Sequence, residues 1–213
     1  MNKSFYKICV KSLLRFDGFY QKVLNFLAIK ENGGIHPKHE LTRYCDFFLA
    51  NIEESDSVLD IGCGISYVAN QAARKAKRVV GVDNDGRRLA AAKKMFRKDN
   101  LEFLLADATK YDFSQKYDAI ILSNVLEHIE DRISFLKKIK PLSDKILIRV
   151  PMLDRDWLPL YKKQLDLFYF CDKTHYTEYT LETFKEEMTQ AGLVIDKYSV
   201  QFGEIWAVVK VNH

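Results

Sequence analysis

From Ser57 to Val150 short apolar runs alternate with stretches of helical period. Val58–Ile61, Arg78–Val82, Leu101–Leu105, Tyr117–Leu122 and Lys145–Val150 read as strands, and Val68–Lys75, Arg87–Lys98 and Asp131–Ile139 as helices. Strands made of Val, Ile and Leu without polar alternation are buried on both faces. The pattern therefore predicts a doubly wound α/β domain on a mostly parallel sheet. Upstream, residues 4–30 read as one or two helices broken near Asp17-Gly18, Asn32-Gly33-Gly34 as a turn, and His36-Pro37-Lys38 as the opening of a helix that runs through Ile52. After Pro151 the alternation lapses. Met152–Thr177 is aromatic and charged without a period, the mark of a lid or binding loop. A helix over Leu181–Gln190 follows, capped by Thr180 and ended by Gly192, and then two strands, Leu193–Ser199 and Glu204–Val211, either side of Gly203 as an antiparallel pair. The organisation expected is a helical extension or lid over residues 1–52 and one domain over 53–213 carrying the insert 152–177.

Composition alters this picture little. Hydrophobic residues make up 47% of the chain and charged residues 29%, as in ordinary globular domains. The formal charge of +4 is too small to call for nucleic acid without a basic cluster. Cys9, Cys45, Cys63 and Cys171 stand far apart and form no zinc spacing. With no secretory leader read in the sequence, a reducing cytoplasm is the expected compartment. One local feature stands out. Lys3, Lys7, Lys11 and Arg15 recur every four residues, a basic stripe on a helix. It is either a solvated face or a contact with an anionic membrane surface or a phosphorylated substrate.

The strand ends carry the candidate chemistry, because open α/β sheets bind ligands beyond the carboxyl ends of their strands. The first strand runs into Asp60-Ile61-Gly62-Cys63-Gly64, the second ends at Asp83-Asn84, the third at Asp107-Ala108, and the fourth at Ser123-Asn124 with Glu127-His128 beyond. Two glycines one residue apart let a backbone approach a ligand, and either a nicotinamide dinucleotide or S-adenosylmethionine could sit there. Asp83 follows Gly62 by about 20 residues, the spacing at which a carboxylate reaches ribose hydroxyls. Asp107 could accept from an exocyclic adenine amine, and Asp60 stands where an ammonium group or a water could be held. The dinucleotide fingerprint would place a glycine where Tyr67 stands.

From Val58 to Val150 the chain resembles the class I S-adenosylmethionine-dependent methyltransferases. The motifs are VLDIGCG, GVDND, LLADAT and YDAIILSNVLEHI. The resemblance implies a seven-stranded Rossmann-like sheet with an antiparallel last strand and S-adenosylmethionine as cofactor. It assigns the methionine part to the turn of Asp60, Gly62, Cys63 and Gly64, the ribose to Asp83 with Asn84 beside it, and the adenine to Asp107 and Ala108. Ser123 and Asn124 would lie beside the amino-acid end and the transferred methyl. Ser66 stands where the family often has a third glycine.

Methyl transfer to a hydroxyl wants a base within reach, and His128 and His175 are the candidates. Ubiquinone-pathway O-methyltransferases resemble this chain at Glu127-His128, but carry a further Glu where Asn124 stands; an amide serves a hard cation poorly, so no metal is expected. The chain lacks the Asn/Asp-Pro-Pro-aromatic motif of nucleobase amino-methyltransferases and a Pro-Cys nucleophile. The acceptor expected is thus a small molecule, such as a sugar- or lipid-linked metabolite, methylated on oxygen. His36, Lys38, Arg155, Trp157 and Tyr176 bracket the matched core as substrate candidates. The competing readings are an NAD-dependent oxidoreductase and a cofactor-binding or membrane-docking module without turnover.

Overall fold

The computed structural model describes residues 3–211. Its helices are α1 (Lys3–Glu31), α2 (Lys38–Leu41), α3 (Tyr44–Ala50), α4 (Tyr67–Ala72), α5 (Gly86–Met95), α6 (Arg132–Ile139), α7 (Trp157–Gln164) and α8 (Leu181–Gln190). Its strands are β1 (Ser57–Ile61), β2 (Arg78–Asp83), β3 (Leu101–Leu105), β4 (Ala119–Ser123), β5 (Lys145–Pro151), β6 (Leu193–Gln201) and β7 (Glu204–Val211). By contact density the chain forms two compact units. Among the described residues, one comprises 3–44 with 156–169, and the other 45–155 with 170–211. The sequence reading put its boundary at residue 52.

The second unit is the doubly wound domain. Its seven strands lie in the order β3-β2-β1-β4-β5-β7-β6. β1 through β5 pair in parallel, and β7 runs antiparallel to both β5 and β6. The central strands are buried along nearly their whole length, as their unbroken apolar runs require. The outer strands β3 and β6 are buried only at their first residue and half-buried or exposed beyond it. The core joins Leu59, Ile120, Leu122, Ile148 and Ala207 of the sheet to Leu136 and Ile139 of α6 and Phe184 of α8. The direction of winding reverses between β1 and β4. That crevice is the topological switch point.

Local chemistry explains the helix ends. Asp85 caps α5 by accepting from Arg87 N and Arg88 N, and Asp131 caps α6 through Ser134 N. Thr180 and Thr183 cap α8 reciprocally. Three sequence expectations need correction. The helix over residues 4–30 is one continuous α1: Gly18 costs about 1 kcal/mol against alanine, too little to break a helix whose adjoining turns carry Leu13, Leu14, Arg15, Gln21 and Lys22. The helix expected to run through Ile52 is two, α2 and α3, because Arg43 adopts φ 50°, a left-handed conformation no helix can pass through. The insert is not without period, since α7 lies inside it. There Asp156 accepts from Leu158 N at 2.6 Å and Pro159 sits in the first turn.

Candidate active site

The residues singled out at the strand ends converge on the switch-point edge of the sheet. After β1 the chain turns through Gly62 (φ 69°) and Gly64 (φ 57°), both in the region that favours glycine. A β-carbon on Gly62 would stand 2.7 Å from Val125 Cγ2, whereas on Gly64 it would meet nothing within 4 Å. The first glycine lets the turn close on the residues after β4. The second leaves its outer side open to a ligand. Asp83 brackets this turn: its Oδ2 accepts from Gly64 N at 2.8 Å and its Oδ1 from Asp85 N at 2.8 Å. Each oxygen keeps a further acceptor position. Asn84 beside it is exposed. Cys63 donates its backbone N–H to Val82 O at 3.0 Å, tying β1's turn to β2. Burial, with Asp60 next in effect, pushes its thiol up, so it stays protonated.

Ser66, at the third position of the glycine pattern, has φ 64° and is fully buried. Its hydroxyl donates to Cys63 Sγ at 3.3 Å and its N–H to Cys63 O at 2.7 Å. The left-handed conformation explains why glycine suits this place. A serine held from both ends can occupy it.

Asp60 is 1% exposed, and its Oδ2 has no hydrogen-bond partner. Burial lifts the carboxyl to about 8 against the Ala69 amide, with Asp83 adding to the lift. An orphaned buried carboxyl of this kind calls for a cationic or donating ligand group. Asp107 follows β3 and opens a turn, its Oδ1 accepting from Thr109 N at 3.0 Å and Thr109 Oγ1 at 2.6 Å. Those bonds hold its carboxyl below the ordinary range, and Ala108 beside it packs against the core.

At the end of β4, Ser123 Oγ lies 3.2 Å from Arg149 Nη1. Asn124, at φ 56°, donates Nδ2–H to Glu127 Oε1 at 2.8 Å. Glu127 is wholly buried, its other oxygen has no partner, and burial raises its carboxyl to about 7. The backbone of Tyr176 donates to Glu127 O at 2.8 Å, which seats the 171–178 loop on this turn. The two candidate bases come together there. The rings of His128 and His175 stand 4.7 Å apart at 78°.

Their partners set the tautomers. His175 Nδ1 lies 2.9 Å from Glu178 Oε1, a carboxylate oxygen that can only accept, so Nδ1 carries the proton and Nε2 a free lone pair. Thr174 Oγ1 donates to Asp172 Oδ1 at 2.7 Å and lies 2.9 Å from His128 Nδ1. His128 is therefore the donor to Thr174, again leaving Nε2 as an acceptor. Burial, with the neighbouring His175 next in effect, lowers the pKa of His128 and favours its neutral form. Glu178 also binds the Cys171 amide and Arg155, and these contacts with His175 hold it ionised although it is buried. Glu127, His128 and His175 each present a ligand atom within 4.8 Å of the others, a grouping that could hold a cation.

The substrate candidates divide between the two units. Arg155 is engaged with Glu178 and Met152 O, and Tyr176 is largely exposed on the loop beside His175. In the other unit, His36 lies 3.3 Å from Asn25 Oδ1 and accepts from Lys38 N at 3.1 Å, Lys38 opens α2, and Trp157 stacks 5.7 Å from Tyr161 on α7. Sequence reasoning missed Glu178. Its only local signal is the three-residue spacing from His175.

A doubly wound sheet with this antiparallel seventh strand, a glycine turn at its switch point and acids at three adjacent strand ends defines a class I S-adenosylmethionine-dependent methyltransferase. The chain belongs to the methyltransferase domain family, which matches residues 35–198. It is similar to (S)-coclaurine N-methyltransferase of Thalictrum flavum subsp. glaucum, 36% identical over 105 residues that are 47% of this chain and 28% of that protein. It is also similar to the ubiquinone biosynthesis O-methyltransferase of Bradyrhizobium diazoefficiens, 32% identical over 103 residues, 47% of this chain and 41% of that protein. The matched stretch thus spans less than half of these relatives. In fold it is like the S-adenosylmethionine-dependent methyltransferase from Clostridium acetobutylicum, with a TM-score of 0.66 at 15% identity, covering 91% of this chain and 99% of that one.

Proposed function

We propose that the protein transfers a methyl group from S-adenosylmethionine to an oxygen of a small-molecule acceptor, with His128 and His175 as the proton-accepting pair. The observation that carries the cofactor assignment is the orphaned Asp60 carboxyl beside an open glycine turn that Asp83 brackets. A cofactor ammonium would answer Asp60. Ribose hydroxyls fit the remaining acceptor positions of Asp83, and the adenine amine fits the second oxygen of Asp107. When bound, the sulfonium supplies a methyl group already activated for in-line displacement. The protein has then to align the acceptor and exclude water. An acceptor hydroxyl loses its proton as its oxygen forms the new bond, and the free Nε2 of His128 or His175 is the group to take it. Glu178 keeps His175 in that tautomer, as a positioning residue. Among the described residues the four cysteines form no disulfide, which supports a reducing compartment such as the cytoplasm.

A second use of the cluster follows from its donor set, a divalent cation between Glu127 and the two imidazoles. One experiment separates the readings. Methyl-labelled S-adenosylmethionine is incubated with the protein and a cell extract resolved into small-molecule, RNA and protein fractions, with and without EDTA. Label is expected in the small-molecule fraction, unaffected by the chelator and reduced roughly 100-fold when both histidines are changed to alanine. Label in RNA or protein would contradict the acceptor class. A loss under EDTA that a divalent cation restores would move the cluster to the metal role.

A further inference from the structure

α1 is a 29-residue helix in which no residue is buried. Its large apolar side chains are nonetheless numerous. Leu13 is 68% exposed, Phe16 and Phe19 are 63% each and Phe26 is 60%. At about 100° per residue these fall on one broad face with Phe5 and Val23. Around the helix from that face runs the basic band of Lys3, Lys7, Lys11, Arg15 and Lys22, and the last two border Ile8 and Phe26. The charge is concentrated here. α1 holds Lys3, Lys7, Lys11, Arg15, Lys22 and Lys30 against Asp17 and Glu31, an excess equal to the formal +4 of the entire chain. The remainder is therefore balanced. Asp17 is itself paired with Lys162 at 3.1 Å, both in the same compact unit, which leaves the helix face more positive still.

We infer that α1 lies flat on an anionic lipid surface, its aromatic face in the acyl boundary and its lysines and arginine on the headgroups. An exposed apolar face this large on a soluble chain marks a contact surface, and its chemistry selects the occupant. A second copy would bring two helices of the same excess charge together, whereas acidic lipid headgroups complement it. Among the described residues no helix is long and apolar enough to cross a membrane, so the helix rests on the bilayer rather than through it. The inference is independent of methyl transfer.

The test is co-sedimentation of the full chain with phosphatidylcholine vesicles, with and without phosphatidylserine, at low and high salt. Binding is expected to be at least about tenfold stronger to the anionic vesicles and to fall with salt. The triple variant Lys7→Glu, Lys11→Glu, Arg15→Glu should lose that preference. The double variant Phe16→Ser, Phe19→Ser should lose binding altogether. Affinity for S-adenosylhomocysteine, measured on each variant, should stay that of wild type and shows that the catalytic unit is folded. Equal binding to both vesicle types, or none, would overturn the inference. So would a dimer in solution that the Phe16→Ser, Phe19→Ser change dissociates, since the face would then be covered by a second copy.

Discussion

Asp60 and Glu127 are the residues on which the site's physics turns. Both are buried acids with one oxygen unpartnered, and burial raises them to about 8 and about 7. In the unfolded chain each would ionise near the ordinary carboxyl value. The folded state therefore holds protons that the unfolded state has released, and stability falls as pH rises. The contribution is present in full below a pH of about 4 and is lost as pH climbs through about 7 and then about 8. The thermal midpoint of the ligand-free protein is expected to drop by a few °C or more between a pH of about 6 and about 9. In Glu127→Gln the slope should be shallower. A wild-type and variant pair with parallel pH curves would contradict the raised carboxyl. Such environments are only partly legible in the sequence. Asp60, Asp83 and Asp107 could be found because each stands where a strand ends, a position that hydrophobic pattern fixes. Glu178 could not, since its meaning depends on Arg155, Cys171 and His175 meeting at one point. Glu127 was visible only as half of a pair with His128, and the Tyr176 amide that meets its carbonyl comes from a loop far along the chain.

At the scale of elements, the parallel half of the sheet is joined to its antiparallel half by a charged fork. Arg149 on β5 donates Nε–H to Glu204 Oε2 and Nη2–H to Glu204 Oε1, both at 2.6 Å, and Trp206 donates to the same carboxylate at 3.1 Å. The two side chains are 5% and 16% exposed, so removing one partner strands a charge. Glu204→Ala is expected to cost about 3–5 kcal/mol in urea unfolding, and to loosen Ser123 through Arg149 Nη1. A loss below about 1 kcal/mol would show the pair to be screened like a surface bridge. Element by element, the strands were the most legible part of the sequence. Buried parallel strands are continuous apolar runs, and both final strands flank a glycine turn. Helices were less so. The single residue Arg43 ends one early by its left-handed backbone, and α7 hides in a segment where exposed Trp157 and Leu160 alternate irregularly with buried Pro159 and Leu165. Its Asp-x-x-Pro start was the available signal.

At the scale of the whole molecule, the switch-point crevice of the second unit is the binding site for S-adenosylmethionine. Fold class and cofactor turn were both within reach of the sequence, because glycines and acids at fixed strand ends encode a ligand's shape. The acceptor was not, because its contacts come from loops whose placement no periodicity dictates. Calorimetric titration with S-adenosylhomocysteine, on wild type and on Asp83→Ala with its fold checked by thermal melting, tests the statement most directly. The expected result is a single site in the micromolar range, weakened about tenfold or more by the substitution, which is about 1.4 kcal/mol. No heat at high micromolar ligand in wild type, or binding of NADH in its place, would contradict it.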